Sequence, residues 1–192
     1  FTDIVDAHAG VERALLVEPQ PEPCRRLRAR HDPRFTVCEC AAAASASPAM
    51  LEVLHSPYSS SLLRPLPEAS MAGGLDLRVR DRLPVKARTI DDLVEEAAMP
   101  EVIDLLKIDT QGTELQVIQG AARTLPRVRL VWPEVSCVPI YEGSALFGDV
   151  HAFLRPRGFR LFALRQGFRD SNGELLQADA LFLGTSVPVP VL

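Results

Sequence analysis

LLKIDTQGTELQVIQGA, residues 105–121, passes from an apolar run through two charged positions into a helical pattern. Burying an unpaired charge is costly, so Lys107 and Asp109 mark the place where a buried strand leaves its sheet. The strand itself is VIDLLKI (102–108), and beyond it Leu115, Ile118, Ala122 and Leu125 recur at helical spacing. Gly112 or Thr113 starts that helix, and Pro126 stops it. A strand that runs straight into a helix is half of a right-handed crossover, the unit from which parallel sheets are built.

The same order opens the chain. ALLV (14–17) is a short apolar strand ending at Glu18-Pro19, and PEPCRRLRAR (21–30) suits an amphipathic helix. FTVCECA (35–41) reads as a second buried strand and MLEVLH (50–55) as a half-exposed one. Residues 56–83 are rich in Ser, Pro, Gly and Arg and lack periodicity, which predicts a long loop. VKARTI (85–90) is again a strand, and Asp91-Asp92 start a helix, DDLVEEAA, before Pro100. RVRLVWPEVS (127–136) is a strand, a helix runs from about Gly148 to Arg155, and RLFALR (160–165) and ADALFLG (178–184) are the last strands. Asn172-Gly173 turns between that final pair, and VPVPVL (187–192) reads as an extended tail. The expected fold class is α/β: one domain over 1–192 with a mostly parallel sheet, helices on both faces and an antiparallel hairpin at its C-terminal edge. In such sheets ligands bind beyond the carboxyl ends of the strands.

Composition narrows the function classes. The chain has 192 residues, 47% hydrophobic and 24% charged, with a net charge of −4, so no basic field exists to hold nucleic acid. No apolar stretch approaches the roughly 20 residues that span a bilayer, so no membrane partner and a cytoplasmic location are expected. Cys24, Cys38, Cys40 and Cys137 show no CxxC spacing, which favours reduced thiols over a metal site. Oligomeric state is not legible.

Two acids occupy equivalent positions, Glu18 after ALLV and Asp109 after LLKI. In nucleotide-binding sheets an acid at the end of the second strand accepts hydrogen bonds from ribose hydroxyls, about 20 residues after a glycine-bearing first turn. Counting back from Glu18 puts that turn at or just before Phe1, so the first strand is expected upstream of that residue. Glu18 reads equally as a plain strand-end acid. Asp109, Gly112 and Glu114 form a compact turn, with Gly112 permitting positive φ and Glu114 facing the helix dipole. Lys107 is expected in an ion pair with Asp104, Glu114 or a neighbouring strand.

KIDTQGTELQVIQGA (107–121) resembles the signature of the FkbM-like S-adenosylmethionine-dependent methyltransferases: K-I-D-x-E/Q-G-x-E, an apolar helix and a Gly-Ala pair, here Gly120-Ala121. Further pieces follow in that family's order: VEPQPE (17–22), CECAAA (38–43), Ser59-Ser60-Ser61 with Leu62, RTIDDL (88–93), the strand with Glu134, and ADALFLG. Position 111 is Gln where many members carry Glu. The resemblance implies a Rossmann-like class I methyltransferase sheet, S-adenosylmethionine as cofactor, and methyl transfer to a hydroxyl of a small molecule or sugar. It also implies that Glu18, with Pro19 beside it, holds the cofactor's ribose, and that Cys40 and Ala41 flank the adenine. Asp109 would face the methionine end or the acceptor, and Glu134 would serve as base or orienting group.

His55, at the start of the Ser/Pro-rich segment, is a further candidate base, whereas His151 reads as packing. Ser59 to Ser61 either bind an acceptor or solvate a turn, and Tyr58, Tyr141 and Trp132 either line the pocket or fill the core. No ligand cluster calls for a metal. Two other classes stay open: a non-catalytic methyltransferase-like binding module that lost its cofactor loop, and a nicotinamide-dependent oxidoreductase, which KIDTQGTE does not support.

Overall fold

Strands and helices alternate through most of the chain, and the computed structural model describes residues 10–56, 58–67 and 76–185. In chain order these are β1 (Ala14–Val17), α1 (Pro21–Ala29), β2 (Phe35–Cys38), β3 (Ala41–Ala42), β4 (Ser47–Leu54), β5 (Val79–Arg88) and α2 (Ile90–Glu96). There follow β6 (Ile103–Ile108), α3 (Glu114–Gln119), β7 (Val128–Ser136), α4 (Phe147–Leu154), β8 (Phe159–Gln166) and β9 (Gln177–Gly184).

Among the described residues the strands form three sheets, in the orders β1-β2, β3-β5-β4 and β6-β7-β9-β8. The pairs β1/β2, β3/β5 and β6/β7 are parallel, while β4/β5, β7/β9 and β8/β9 are antiparallel. The sheets are therefore mixed, and the expectation of a mostly parallel sheet is corrected. Two reversals account for the difference: the chain after β4 returns beside it as β5, and β9 folds back from β8 into the place next to β7. The antiparallel β8-β9 pair does lie at the C-terminal edge, as expected.

Several boundaries also move. FTVCECA breaks after Cys38, and Ala41–Ala42 join a different sheet beside Ala87–Arg88. The expected loop 56–83 ends early, because β5 begins at Val79 and pairs along nearly all of β4. Its first half, VRDR, is exposed and charged, so no apolar alternation announces it. Pro84 is tolerated because it pairs only with Met50 on β4, while β3 reaches no further along the other side than Ala87. Thr89 caps α2, its hydroxyl accepting from the Asp92 amide at 3.1 Å. The closing VPVPVL and the expected first turn lie outside the described residues.

Side-chain alternation gives the β6-β7-β9-β8 sheet two unlike faces. Ile108, Val131, Val135, Ala178 and Phe182 form a buried face, packed with Val117 and Ile118 of α3 and Val150 and Leu154 of α4. On the other face stand Lys107, Trp132, Glu134 and Asp179, gathered toward the carboxyl ends of β6 and β7. α3 stops after six residues at Gly120, where a Cβ would lie 2.1 Å from the Ala43 carbonyl oxygen, so that close approach demands glycine. No helix among the described residues is long and apolar enough to cross a membrane.

Candidate functional site

The turn after β6 is held by one carboxylate. Glu114 is buried, and its oxygens accept from the Thr110 amide at 2.8 Å, the Gly112 amide at 2.9 Å and the Thr110 hydroxyl at 3.2 Å. Burial pushes its carboxyl up, against those backbone donors. Gln111 (φ 56°) and Gly112 (φ 100°) are both left-handed, so the chain reverses sharply around this anchor. The buried Ser61 hydroxyl donates to the Gln111 carbonyl at 2.7 Å, which ties the segment after β4 to the turn.

The side chain of Gln111 then joins two strands. Its Nε2 donates to Asp109 Oδ1 at 2.8 Å and to Glu134 Oε2 at 2.7 Å. Gln177, at the start of β9, donates to the same Glu134 oxygen at 2.9 Å. The buried Tyr141 hydroxyl faces both the Ser59 carbonyl at 2.8 Å and Gln111 Oε1 at 3.1 Å. Burial, then repulsion from Asp109 and Glu114, pushes the Glu134 carboxyl up to about 8. Such a group takes or gives a proton near neutral pH.

Asp109 and Glu134 are thus brought together at the carboxyl-end rim of β6 and β7. Lys107 lies beside them in an ion pair with Asp179 of β9 at 2.8 Å, and Asp179 also accepts from the Trp132 indole at 2.8 Å. The lysine bonds across β7, while Asp104 pairs with Arg129.

Glu18 leaves β1 at its carboxyl end, partly buried, with Oε1 accepting from the Gln20 amide at 2.8 Å across Pro19. Burial raises its carboxyl. Its backbone amide donates to the Cys38 carbonyl at 3.0 Å, and the Cys24 thiol donates to its carbonyl at 3.1 Å. Cys40 and Ala41 are buried where the chain passes from β2 to β3. Arg13, just before β1, donates to the Ala97 and Ala98 carbonyls, both at 2.7 Å, in the connection that leads into β6. That clamp ties together the amino-terminal approaches of β1 and β6.

The other candidates scatter. His55 is exposed at the end of β4, its amide donating to the Arg78 carbonyl, and it stands near Asp76 rather than at the Asp109–Glu134 junction. Tyr58 is exposed, and His151 packs between the rings of Phe147 and Phe182. Nothing local in the sequence marks Gln177, and Gln111 stands out there only by its departure from Glu. Its place inside the turn motif was the available signal.

An open cleft of about 390 Å³ lies elsewhere, lined by Asp91, Val94, Arg123 and Arg127 among others. Glu101 and Arg127, on its wall, precede β6 and β7, so the cleft opens at the amino ends of those strands. Among the described residues no cluster of three or more His, Cys, Asp or Glu side chains has the geometry to hold a metal ion.

The sequence pattern of the Methyltransferase FkbM domain matches residues 2–161. The chain belongs to the FkbM methyltransferase family. It is similar to the 2-O-methyltransferase NoeI of Sinorhizobium fredii (strain NBRC 101917 / NGR234), with 42% identity over 60 residues, 31% of this chain and 24% of that protein. It is also similar in fold to the crystal structure of Methyltransferase FkbM from Methylobacillus flagellatus KT, with a TM-score of 0.53 and 17% identity over 90% of this chain and 36% of that one. The matched parts span well under two thirds of either relative. The fold is accordingly the α/β arrangement, with mixed sheets, of an FkbM-family methyltransferase.

Proposed function

We propose that this chain carries the reaction centre of an S-adenosylmethionine-dependent O-methyltransferase whose acceptor is a hydroxyl of a small molecule or sugar. The observation that carries the reading is the junction of Asp109, Gln111 and Glu134 at the carboxyl-end rim, where α/β sheets bind ligands. The family supports methyl transfer, and the relative named a 2-O-methyltransferase supports an oxygen acceptor. On this reading the strands carrying Glu18 and Asp109 belong to one Rossmann-like layer, which the Arg13 clamp between the approaches to β1 and β6 supports.

The donor set fits the cofactor. Glu18 has a partly desolvated carboxylate with one backbone donor on Oε1, a group suited to accept from ribose hydroxyls. Pro19 fixes the turn beside it, and Cys40 and Ala41, buried between β2 and β3, would flank the adenine. Asp109 offers a carboxylate to an ammonium group. Bound there, S-adenosylmethionine supplies a methyl group on a positively charged sulfur. Glu134, once ionised, takes the acceptor's hydroxyl proton, and its raised proton affinity suits that task. Glu114 holds the turn that keeps Asp109 in place, and Tyr141 braces Gln111 through its carboxamide oxygen.

Incubation of the protein with methyl-labelled S-adenosylmethionine and a panel of sugars and hydroxylated metabolites, read by mass spectrometry, tests the reading. Label in an ether-linked methyl group is expected, and Glu18→Ala is expected to weaken cofactor binding more than about tenfold, since a charge-assisted pair of contacts is lost. Unchanged affinity in calorimetry removes Glu18 from the site.

A further inference from the structure

A neutral carboxamide stands between two acids at the site, and every polar atom of that carboxamide is engaged. Gln111 Nε2 uses its two hydrogens on Asp109 and Glu134, while Oε1 faces the Tyr141 hydroxyl. The backbone beneath it is fixed independently, by a left-handed φ of 56°, by the Ser61 hydroxyl on its carbonyl and by the Glu114 carboxylate on either side. A residue with β-region or helical φ would aim its side chain elsewhere. A non-glycine residue held in this region costs free energy, which the surrounding contacts offset.

We propose that Gln111 is a positioning residue of the reaction centre: its carboxamide fixes the distance between the Asp109 and Glu134 carboxyls and sets how tightly Glu134 holds a proton. The proposal rests on the O-methyltransferase reading above only in naming the reaction that the proton serves. Two carboxylates brought this close without a donor between them repel, and the one that is more buried takes up a proton. The amide N–H groups oppose this by stabilising the ionised pair, so Gln111 keeps Glu134 within reach of ionisation. Lys107 on β6 works in the same direction, whereas Asp109 and the buried Glu114 work against it. From β9, Asp179 is occupied by Lys107 and Trp132, and Gln177 adds a neutral donor to Glu134. Tyr141, whose hydroxyl burial keeps protonated, shares its one hydrogen between the Ser59 carbonyl at 2.8 Å and Gln111 Oε1 at 3.1 Å and so biases the amide's orientation.

The test reads protonation directly and needs no acceptor. Carbon-13 NMR of protein labelled at the glutamate side-chain carboxyls follows Glu134 against pH, its signal assigned by its loss in Glu134→Gln. In Gln111→Leu, close in size but without donors, the Glu134 midpoint is expected to rise by about one pH unit, roughly tenfold tighter proton binding. Gln111→Glu is expected to move it upward as well, by adding a further carboxyl, and Tyr141→Phe to move it in the same direction by less. A Glu134 midpoint that stays at the wild-type value in a folded Gln111→Leu or Gln111→Glu protein overturns the proposal, even if melting temperature falls. Failure of the broader functional reading shows separately, as absence of S-adenosylmethionine binding to the wild-type protein.

Discussion

Replacing Glu134 by Gln removes a carboxyl that the fold holds largely out of water, and its consequence for stability follows from the proton it carries. Burial and the neighbouring Asp109 and Glu114 raise this group from 4.5 to about 8. Between those values the folded protein keeps a proton that the unfolded chain has released. Stability from this group is therefore full below pH 4.5, falls as pH rises through the window, and levels off above pH 8. At about 1.4 kcal/mol per pH unit the loss across the window amounts to ~5 kcal/mol at most. The Glu134→Gln protein carries no such dependence, because the new amide stays neutral while its oxygen still accepts from Gln111 or Gln177. Urea unfolding of wild type and Glu134→Gln at several pH values should give similar free energies at the acid end and a variant that is several kcal/mol more stable at the alkaline end. Curves that run parallel across the whole range would show that Glu134 titrates as an ordinary exposed acid, and the reasoning about the junction would be wrong.

Glu114→Gln should cost about 1–3 kcal/mol, since an amide group would point its N–H hydrogens at a backbone amide that now has a carboxylate to donate to; a chemical denaturation midpoint unchanged from wild type contradicts this. Gly120→Ala should abolish folding or cost several kcal/mol, because its Cβ would meet the Ala43 carbonyl at 2.1 Å. Gly143→Ala, with nothing within 4 Å but φ at 70°, should cost only about 1–2 kcal/mol; since Gly120 has an ordinary φ of −71°, a Gly120→Ala loss no larger than this would show that the Ala43 contact relaxes at little cost. Asp109→Asn should lower methyl transfer far more than melting temperature, and a collapse of both together would assign Asp109 to structure.

Local signals carried the elements that are apolar and bounded by sharp punctuation. β1, β6 and β7 stand within a residue or two of expectation because each is a mainly apolar run bounded by charge, Gly or Pro. β5 was half invisible, since Arg80, Asp81 and Arg82 face solvent and look like loop. β3 is too short to read, and its two alanines gain meaning only from Ala87 and Arg88 far along the chain. Strand direction is not legible locally either: alternation of strand and helix indicates crossovers, but nothing local says that β9 will insert between β7 and β8.

At the site, the turn motif exposed Asp109, Gly112 and Glu114, because strand end, left-handed glycine and helix start leave a compact signature. Gln111 bridging two acids is a tertiary fact. It depends on Glu134 arriving from β7 and Tyr141 from the segment beyond, with 23 and 30 residues of separation. Lys107 likewise finds Asp179 at a separation of 72 residues, which no spacing rule encodes. His55 stands away from the junction because it lies just past the buried end of β4, where the chain emerges to solvent beside Asp76.

Whether ligand chemistry takes place at the carboxyl-end rim is addressed most directly by titrating S-adenosylmethionine into isotope-labelled protein and following amide NMR shifts. The largest shifts are expected at Glu18, Cys40 and Asp109 through Gly112, with the cleft at Asp91, Arg123 and Arg127 unmoved. Shifts confined to that cleft, or no shifts at saturating cofactor, would contradict a reaction centre at the rim.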